Sequence, residues 1–312
     1  VSDPSLSDQS GALAAARRTI LIGTGLALLA AMSFGINVPA VRSASQAGMF
    51  GADLIFYRAL ILAVLIGGFA LATGQRLALM PQERAPVLRL ALAASLTATF
   101  YLSALDHLAV PMAVVIFYTF PLIVMLISNR LEGRRLAAKQ IGIFAIAFAG
   151  LVLAVGPSAD KLSLVGVGFA ILAALCSAAL FILAGNVEGT PQRNLFWTQL
   201  VMIPVSLVIA LINGGPVPVA VFKAAPIAIL IAMVGYALGF FLQLHAARRI
   251  SASRTGLLFL LEPVTAIVLA GFALGETLRP VEILGVGLIL AALAAEILID
   301  TPKAEVTSDG PV

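Results

Sequence analysis

Ten continuous apolar runs, each about 20 residues long, constrain this chain more than any other feature. They fall at about 20–41, 53–73, 85–104, 110–128, 139–156, 163–184, 194–213, 225–246, 253–273 and 280–299. At about 1.5 Å per residue, a helix of ~20 residues crosses the ~30 Å hydrocarbon core of a bilayer. Lipid offers no water to backbone N–H and C=O groups, so only helices and closed barrels span it. Barrel strands alternate in polarity over roughly ten residues, and these runs do not. With 61% hydrophobic and 11% charged residues, the chain lacks the polar surface a soluble domain needs. The sequence predicts an all-α polytopic membrane protein of ten transmembrane helices.

The breaks between runs carry turn and charge signals: Thr73-Gly74-Gln75-Arg76, Asn129-Arg130, Gly156-Pro157, Gly189-Thr190-Pro191, Asn213-Gly214-Gly215-Pro216 and Arg248-Arg249. Only Asp106-His107 divides the third run from the fourth. Residues 1–16 and 301–312 read as mobile polar tails. The first run follows Arg17-Arg18 but is too long for a signal h-region, so it is expected to remain as a span. Cys176 is the single cysteine and excludes an internal disulfide.

Lys and Arg placement sets the orientation. Arg17, Arg18, Arg76, Arg84, Arg130, Arg134, Arg135, Lys139, Arg193, Arg248, Arg249, Arg254 and Lys303 lie on the side of the termini, against Arg42, Lys161, Lys223 and Arg279 opposite. This positive-inside bias predicts cytoplasmic termini. The formal charge of +4 therefore reflects topology and does not signal a nucleic-acid partner.

The phrase "GTGLALLAA" at 23–31 returns as "GVGFAILAA" at 166–174, 143 residues later, with six of nine positions identical. The copies begin the first and sixth runs, so the repeat unit is five helices. Five is odd, and the second copy must enter the membrane from the opposite side, as in the inverted repeats of many secondary transporters. Shared Gly/Ala/Leu composition is the competing explanation for one such match. Further pairs at similar offsets argue against it: Pro121 with Pro263, 142 apart, and "DLIFYRALIL" with "NLFWTQLVMI", 141 apart. The latter pairs Phe56 with Trp197 and Arg58 with Gln199.

Two stretches, "YLSALDHLAVPMAVVIFYTFPLIVMLISNRLEGRRL" and "QLHAARRISASRTGLLFLLEPVTAIVLAGFALGETLRPVEILGVGLIL", resemble the EamA-type halves of the drug/metabolite transporter superfamily. Each has an Ala-rich end to a helix, a mid-helix Pro and a Gly-containing helix that follows. Glu262-Pro263 and Leu274-Gly275-Glu276 fit the second half well, whereas "LEGRR" reverses the Gly-Glu order in the first. Within the superfamily the chain is most similar to aromatic amino-acid exporters. The resemblance covers residues 20–299 and implies two repeats, 20–157 and 158–299, between cytoplasmic tails at 1–19 and 300–312. It also implies a bacterial cytoplasmic membrane, a central cavity and export by alternating access.

Glu262 is the sharpest candidate. A charged side chain at the centre of a span costs about 2.5–3.5 kcal/mol on insertion scales, so it faces a cavity, finds a partner or holds a proton. It reads as a ligand for a substrate ammonium or a protonation site; a carboxyl that merely braces the Pro263 break is the alternative. Pro121 and Pro263 remove a backbone donor and free carbonyls, which suits either a polar site or simple kinks. Tyr236, Phe240 and Gln243 share one helix face with Gly239, and Thr255, Phe259, Glu262 and Thr265 form a second stripe. Tyr118, Tyr101 with Thr97, and Asn37 with Ser33 are offered by other helices. Each stripe taken alone also suits ordinary helix packing. Arg58 either snorkels outward or meets a substrate carboxylate or gate acid; Trp197 suits an interfacial anchor.

There is no G-x-x-x-x-G-K-[ST] for a nucleotide, no H-E-x-x-H and no G-x-S-x-G. The G-x-G pairs at 23–25 and 166–168 lie within spans and are expected to let helices approach closely. No catalytic residue, metal site or cofactor is assigned. The sequence thus predicts a secondary transporter for a small-molecule substrate, favouring amino acids and among them aromatic ones. Its other predicted partner is the lipid bilayer, and the oligomeric state is open. Exporters of other metabolites or cationic drugs, a channel and an embedded enzyme are the alternatives.

Overall fold

The computed structural model describes residues 4–49, 51–131, 133, 137–156, 163–274 and 278–299. These form α1 (Pro4–Gln46), α2 (Gly51–Thr73), α3 (Pro81–His107), α4 (Val110–Phe117), α5 (Phe120–Leu131), α6 (Ala138–Val155), α7 (Leu164–Asn186), α8 (Pro191–Ile212), α9 (Pro226–Ala246), α10 (Ala252–Leu258), α11 (Leu261–Leu274) and α12 (Pro280–Ile299). Ten spans result, because α4 with α5 and α10 with α11 each make one broken span. Large apolar side chains face outward along them: Leu71, Leu164 and Phe272 are 86%, 84% and 85% exposed. Only a hydrocarbon surround makes that arrangement stable.

One sequence expectation is corrected at the start of the chain. Residues 4–16, read as a tail, are helical and continue into the first span without a break. Gly11 is followed by Ala12-Leu13-Ala14-Ala15-Ala16, a run of the strongest helix formers, with no proline before Pro39. The C-terminal residues 300–312, Glu132, Arg134 and Arg135 of "LEGRR", and Gly275-Glu276 lie outside the described residues.

The repeated phrase marks the helix faces that pack. Ala27, Ala30 and Ala31 of α1 and their counterparts Ala170, Ala173 and Ala174 of α7 are all fully buried. Gly23 lies against Arg249 and Ile250, and Gly166 against His107 and Leu108, where an added Cβ would come within 2.7 Å and 2.6 Å of its nearest neighbour. Gly25 and Gly168 face open space, so close approach holds only for the first glycine of each pair.

Helix pairing follows the same inverted plan. α1 runs along α9, and its counterpart α7 runs along α3; α6 packs on α12, and α2 on α8. The symmetry is incomplete, and it fails most plainly at one pair. α3 packs extensively along α8, whereas the corresponding helices α9 and α2 touch at few positions. At the 142-residue offset relating Pro121 to Pro263, Tyr236 and Phe240 of α9 correspond to Ala94 and Ala98 of α3. The small residues let α8 approach α3, while the rings of Tyr236 and Phe240 occupy the equivalent space on α9.

Candidate functional site

Both broken spans interrupt their backbone ladders just before a proline, which cannot donate to the preceding turn. Around the first break, Thr119 N–H reaches the Ile116 carbonyl at 3.2 Å and Leu122 N–H reaches Thr119 at 3.1 Å. Around the second, Leu260 bonds to Leu257 at 3.1 Å and Glu262 to Phe259 at 3.0 Å. These tightened i to i−3 bonds absorb the missing donors. Pro121 and Pro263 are both buried, and Pro121 lies against α10, where a Cβ added to Gly256 would be 3.6 Å from its Cα.

Glu262 occupies the first turn of α11, at mid-span. An added Cβ on Gly35 of α1 would lie 2.7 Å from the Glu262 carbonyl, so α1 presses directly on this turn. The Tyr118 hydroxyl lies within hydrogen-bonding reach of the carboxyl, and Tyr101 is close enough to interact with it electrostatically. Glu262 is half-buried.

From Tyr101 a continuous chain of rings crosses the bundle. Tyr101 packs on Phe117, with centroids 4.9 Å apart, and Phe117 on Tyr118 at 5.3 Å. Tyr118 then meets Phe120, Phe120 meets Phe181 at 4.9 Å, and Phe181 meets Phe259 edge-on at 4.7 Å. Phe34 of α1 joins Phe259 to Tyr236. At the far end, the Arg58 guanidinium lies 3.4 Å from the centroid of the Tyr236 ring. Phe240 also stacks with the Tyr236 ring, centroids 5.9 Å apart.

Arg58 is therefore corrected from the snorkelling alternative: it is 5% exposed and turned inward. A desolvated cation over an aromatic face gains about 2 kcal/mol, which offsets part of its burial cost. Among the described residues its Nε has no hydrogen-bond partner, and the same is true of Gln199 Nε2 and Oε1, Gln243 Nε2 and Asn37 Oδ1. Buried polar groups are ordinarily paired, so these atoms are candidates for contact with a ligand or water, although atoms of Thr24, Ser128, Arg193 and Asn194 elsewhere in the bundle are unpaired as well.

The other sequence candidates separate cleanly. Ser33, Thr97, Thr255 and Thr265 hydroxyls each donate to a carbonyl one turn back in their own helix. These hydroxyls serve local structure. Trp197 anchors a loop, its Nε1 donating to the Leu77 carbonyl at 2.7 Å. Phe34, Phe120 and Phe181 join the ring chain although no periodic stripe singled them out. Among the described residues no cluster of metal-ligating side chains occurs.

Two loop clasps close the ends. Tyr57 donates to the Val217 carbonyl at 2.5 Å, and Val217 N–H donates to Asp53 at 3.2 Å. At the other end Arg193 pairs with Glu83, whose other oxygen accepts the Met80 N–H at 2.8 Å.

Comparison with known proteins agrees with this architecture. The EamA-like transporter family matches residues 21–156 and 164–295. The threonine/homoserine exporter RhtA of Escherichia coli K12 is 30% identical over 202 residues, 62% of this chain and 64% of that exporter. The match thus spans less than two thirds of the exporter's length. An uncharacterized transporter from Archaeoglobus fulgidus is 28% identical over 204 residues, 64% of this chain and 71% of that protein. One solved crystal structure superposes with a TM-score of 0.74 at 18% identity, covering 89% of this chain and 96% of its own, and so shares the fold. With both inverted repeats matched along nearly their whole length, this chain is a multi-pass membrane protein of the EamA-like transporter family.

Proposed function

We propose that this chain exports amino acids across a bacterial cytoplasmic membrane by alternating access, with both termini cytoplasmic. The observation that carries the reading is the pair of inward-facing groups of opposite charge, Arg58 and Glu262, at the two ends of one aromatic chain. An α-amino acid carries a carboxylate and an ammonium. Arg58 is suited to the carboxylate through its planar donors, and Glu262 to the ammonium, with Asn37, Gln199 and Gln243 supplying unpaired polar atoms between helices. Each charge alone is costly in a membrane interior, and a zwitterionic substrate would neutralise each in turn as it passes from one to the other.

The substrate side chain we favour is short and polar. Arg58 covers a face of Tyr236, and Phe240 stacks against the same ring, so that ring has little face left for an aromatic substrate. A relative named for threonine and homoserine supports the same direction. Aromatic amino acids, which the sequence resemblance favours, are the second reading. They become the better one if Tyr236 turns away from Arg58 in another conformation. Alternating access would exchange the unequal helix pairs, closing α2 on α9 while α3 parts from α8.

Counterflow into proteoliposomes loaded with unlabelled threonine, homoserine, phenylalanine or tryptophan tests the reading. Saturable uptake of the labelled amino acid is expected, with Glu262→Gln and Arg58→Gln each raising the apparent substrate constant at least about tenfold, or ~1.4 kcal/mol. Wild-type constants in both variants would remove the zwitterion site. Non-saturable flux would instead indicate a channel. For orientation, cysteines at Gln75 and Asn213, introduced after Cys176 is replaced, should be shielded and labelled respectively in intact cells.

A further inference from the structure

A crevice of about 500 Å³ opens on the side of the bundle between α3 and α8, away from the ring chain. Val87, Leu88, Ala91, Trp197 and Val201 line it, with Leu79 from the α2–α3 loop, and Arg84 is its single charged lining residue. Arg84, Leu88 and Ala91 recur at four- and three-residue steps and therefore share one face of α3. Among the described residues, no carboxylate or carbonyl pairs with Arg84. Its neighbour Glu83 is already committed to Arg193 and the Met80 N–H. Arg76 and Arg89 are exposed on the same loop and helix.

We propose that this crevice holds an anionic phospholipid, one acyl chain lying on Leu88, Ala91 and Val201 and the phosphate at Arg84. Three observations point to a lipid and away from a soluble anion. The lining is apolar apart from the single cation at its edge. The crevice lies along a span, where acyl chains are the surrounding solvent. Trp197, an amphipathic ring of the kind enriched at headgroup level, lines it while its N–H holds the Leu77 carbonyl at 2.7 Å. Charge complementarity selects the anionic class: among the described residues lining the crevice, the one charged side chain is the cation Arg84. Because Trp197 and Glu83 belong to the clasp at this end, a bound lipid braces that clasp. The inference does not depend on which solute is transported.

Native mass spectrometry and thermal unfolding of the full chain in detergent, with added dioleoyl-phosphatidylglycerol or dioleoyl-phosphatidylcholine, test it directly. Phosphatidylglycerol should be retained about fivefold more than phosphatidylcholine, the factor expected for one Arg at a lipid surface. It should also raise the unfolding temperature more. Arg84→Gln should abolish the preference and Arg84→Lys should keep it. Ala78→Phe, at an exposed loop position facing the crevice, should reduce retention of both lipids. Equal retention of the two lipids by the wild-type chain, or a preference that survives Arg84→Gln, overturns the proposal. Displacement by glycerol phosphate at concentrations comparable to the lipid would show a free-anion site and overturn it equally.

Discussion

At one end of the bundle, Tyr57 and Asp53 at the start of α2 grip Val217 in the loop after α8. At the other end, Arg193 and Trp197 at the start of α8 grip the loop after α2. At the 141-residue offset, Phe56 and Tyr57 correspond to Trp197 and Thr198, so the clasps sit at equivalent helix starts but are made by non-equivalent residues. Their chemistry differs. The α2 clasp is a tyrosine hydroxyl and one carboxylate on backbone groups. The α8 clasp adds a full ion pair, in which Glu83 is 4% exposed. Hydrogen bonds between such groups contribute about 0.5–3 kcal/mol each. Removing one partner of a buried ion pair costs about 3–5 kcal/mol, because the other charge is left uncompensated. The asymmetry teaches that a symmetric scaffold can hold its two ends with different strength, which is how one conformation comes to be preferred.

The strongest test of that comparison is Glu83→Gln. It should lower stability by about 3–5 kcal/mol and increase labelling of cysteines at the α8 end, read by thermal unfolding and accessibility. The Glu83→Gln, Arg193→Gln double variant should cost less than the sum of the singles; strict additivity would show that the pair is not coupled.

Next in size is Ala94→Tyr, which places on α3 the ring its counterpart α9 carries at Tyr236. Overpacking should cost about 1–3 kcal/mol and drive α3 away from α8, detectable as a lengthened label distance between Ser103 and Val208. An unchanged distance would mean that ring size does not set the unequal pairing.

Tyr57→Phe removes a single hydrogen bond. A loss of about 0.5–1.5 kcal/mol is expected, with increased labelling only at the α2 end.

The smallest effects belong to the G-x-G pairs. Gly25→Ala and Gly168→Ala, facing open space, should be neutral or stabilise by up to about 1 kcal/mol. Gly23→Ala and Gly166→Ala should destabilise, since each added Cβ would meet a neighbour within 2.7 Å or 2.6 Å. Equal behaviour of all four would break the assignment of only the first glycine to packing.

Several features were legible before any coordinates. The ten spans are fixed by run length against bilayer thickness, and every observed span except the first falls within a few residues of its apolar run. The inverted plan followed from an odd repeat unit, and the mid-span prolines marked where breaks could fall, although Pro39 and Pro204 lie within unbroken helices. Glu262 stood out because a carboxylate at mid-span demands a reason. Misreadings arose where a local rule met a tertiary alternative. Residues 4–16 look polar enough for a tail, yet helix propensity and continuity with α1 keep them helical.

By itself, then, the sequence determined the membrane class, the helix count, the internal inversion and the positions of the breaks. Each of these depends on periodicity, length or covalent structure along the chain. Tertiary structure alone decided that Arg58 turns inward onto Tyr236, a residue 178 positions away in sequence. It also decided that Phe34, Phe120 and Phe181 join one ring chain, and that α8 lies against α3 while α9 stands off from α2. Such contacts join residues far apart in the chain, and several partners compete for each face. An arginine about two turns inside a helix can reach the interface or the interior with the same local sequence. Only the packed bundle, with Tyr236 at the right depth to receive the guanidinium, makes the interior position the lower in free energy.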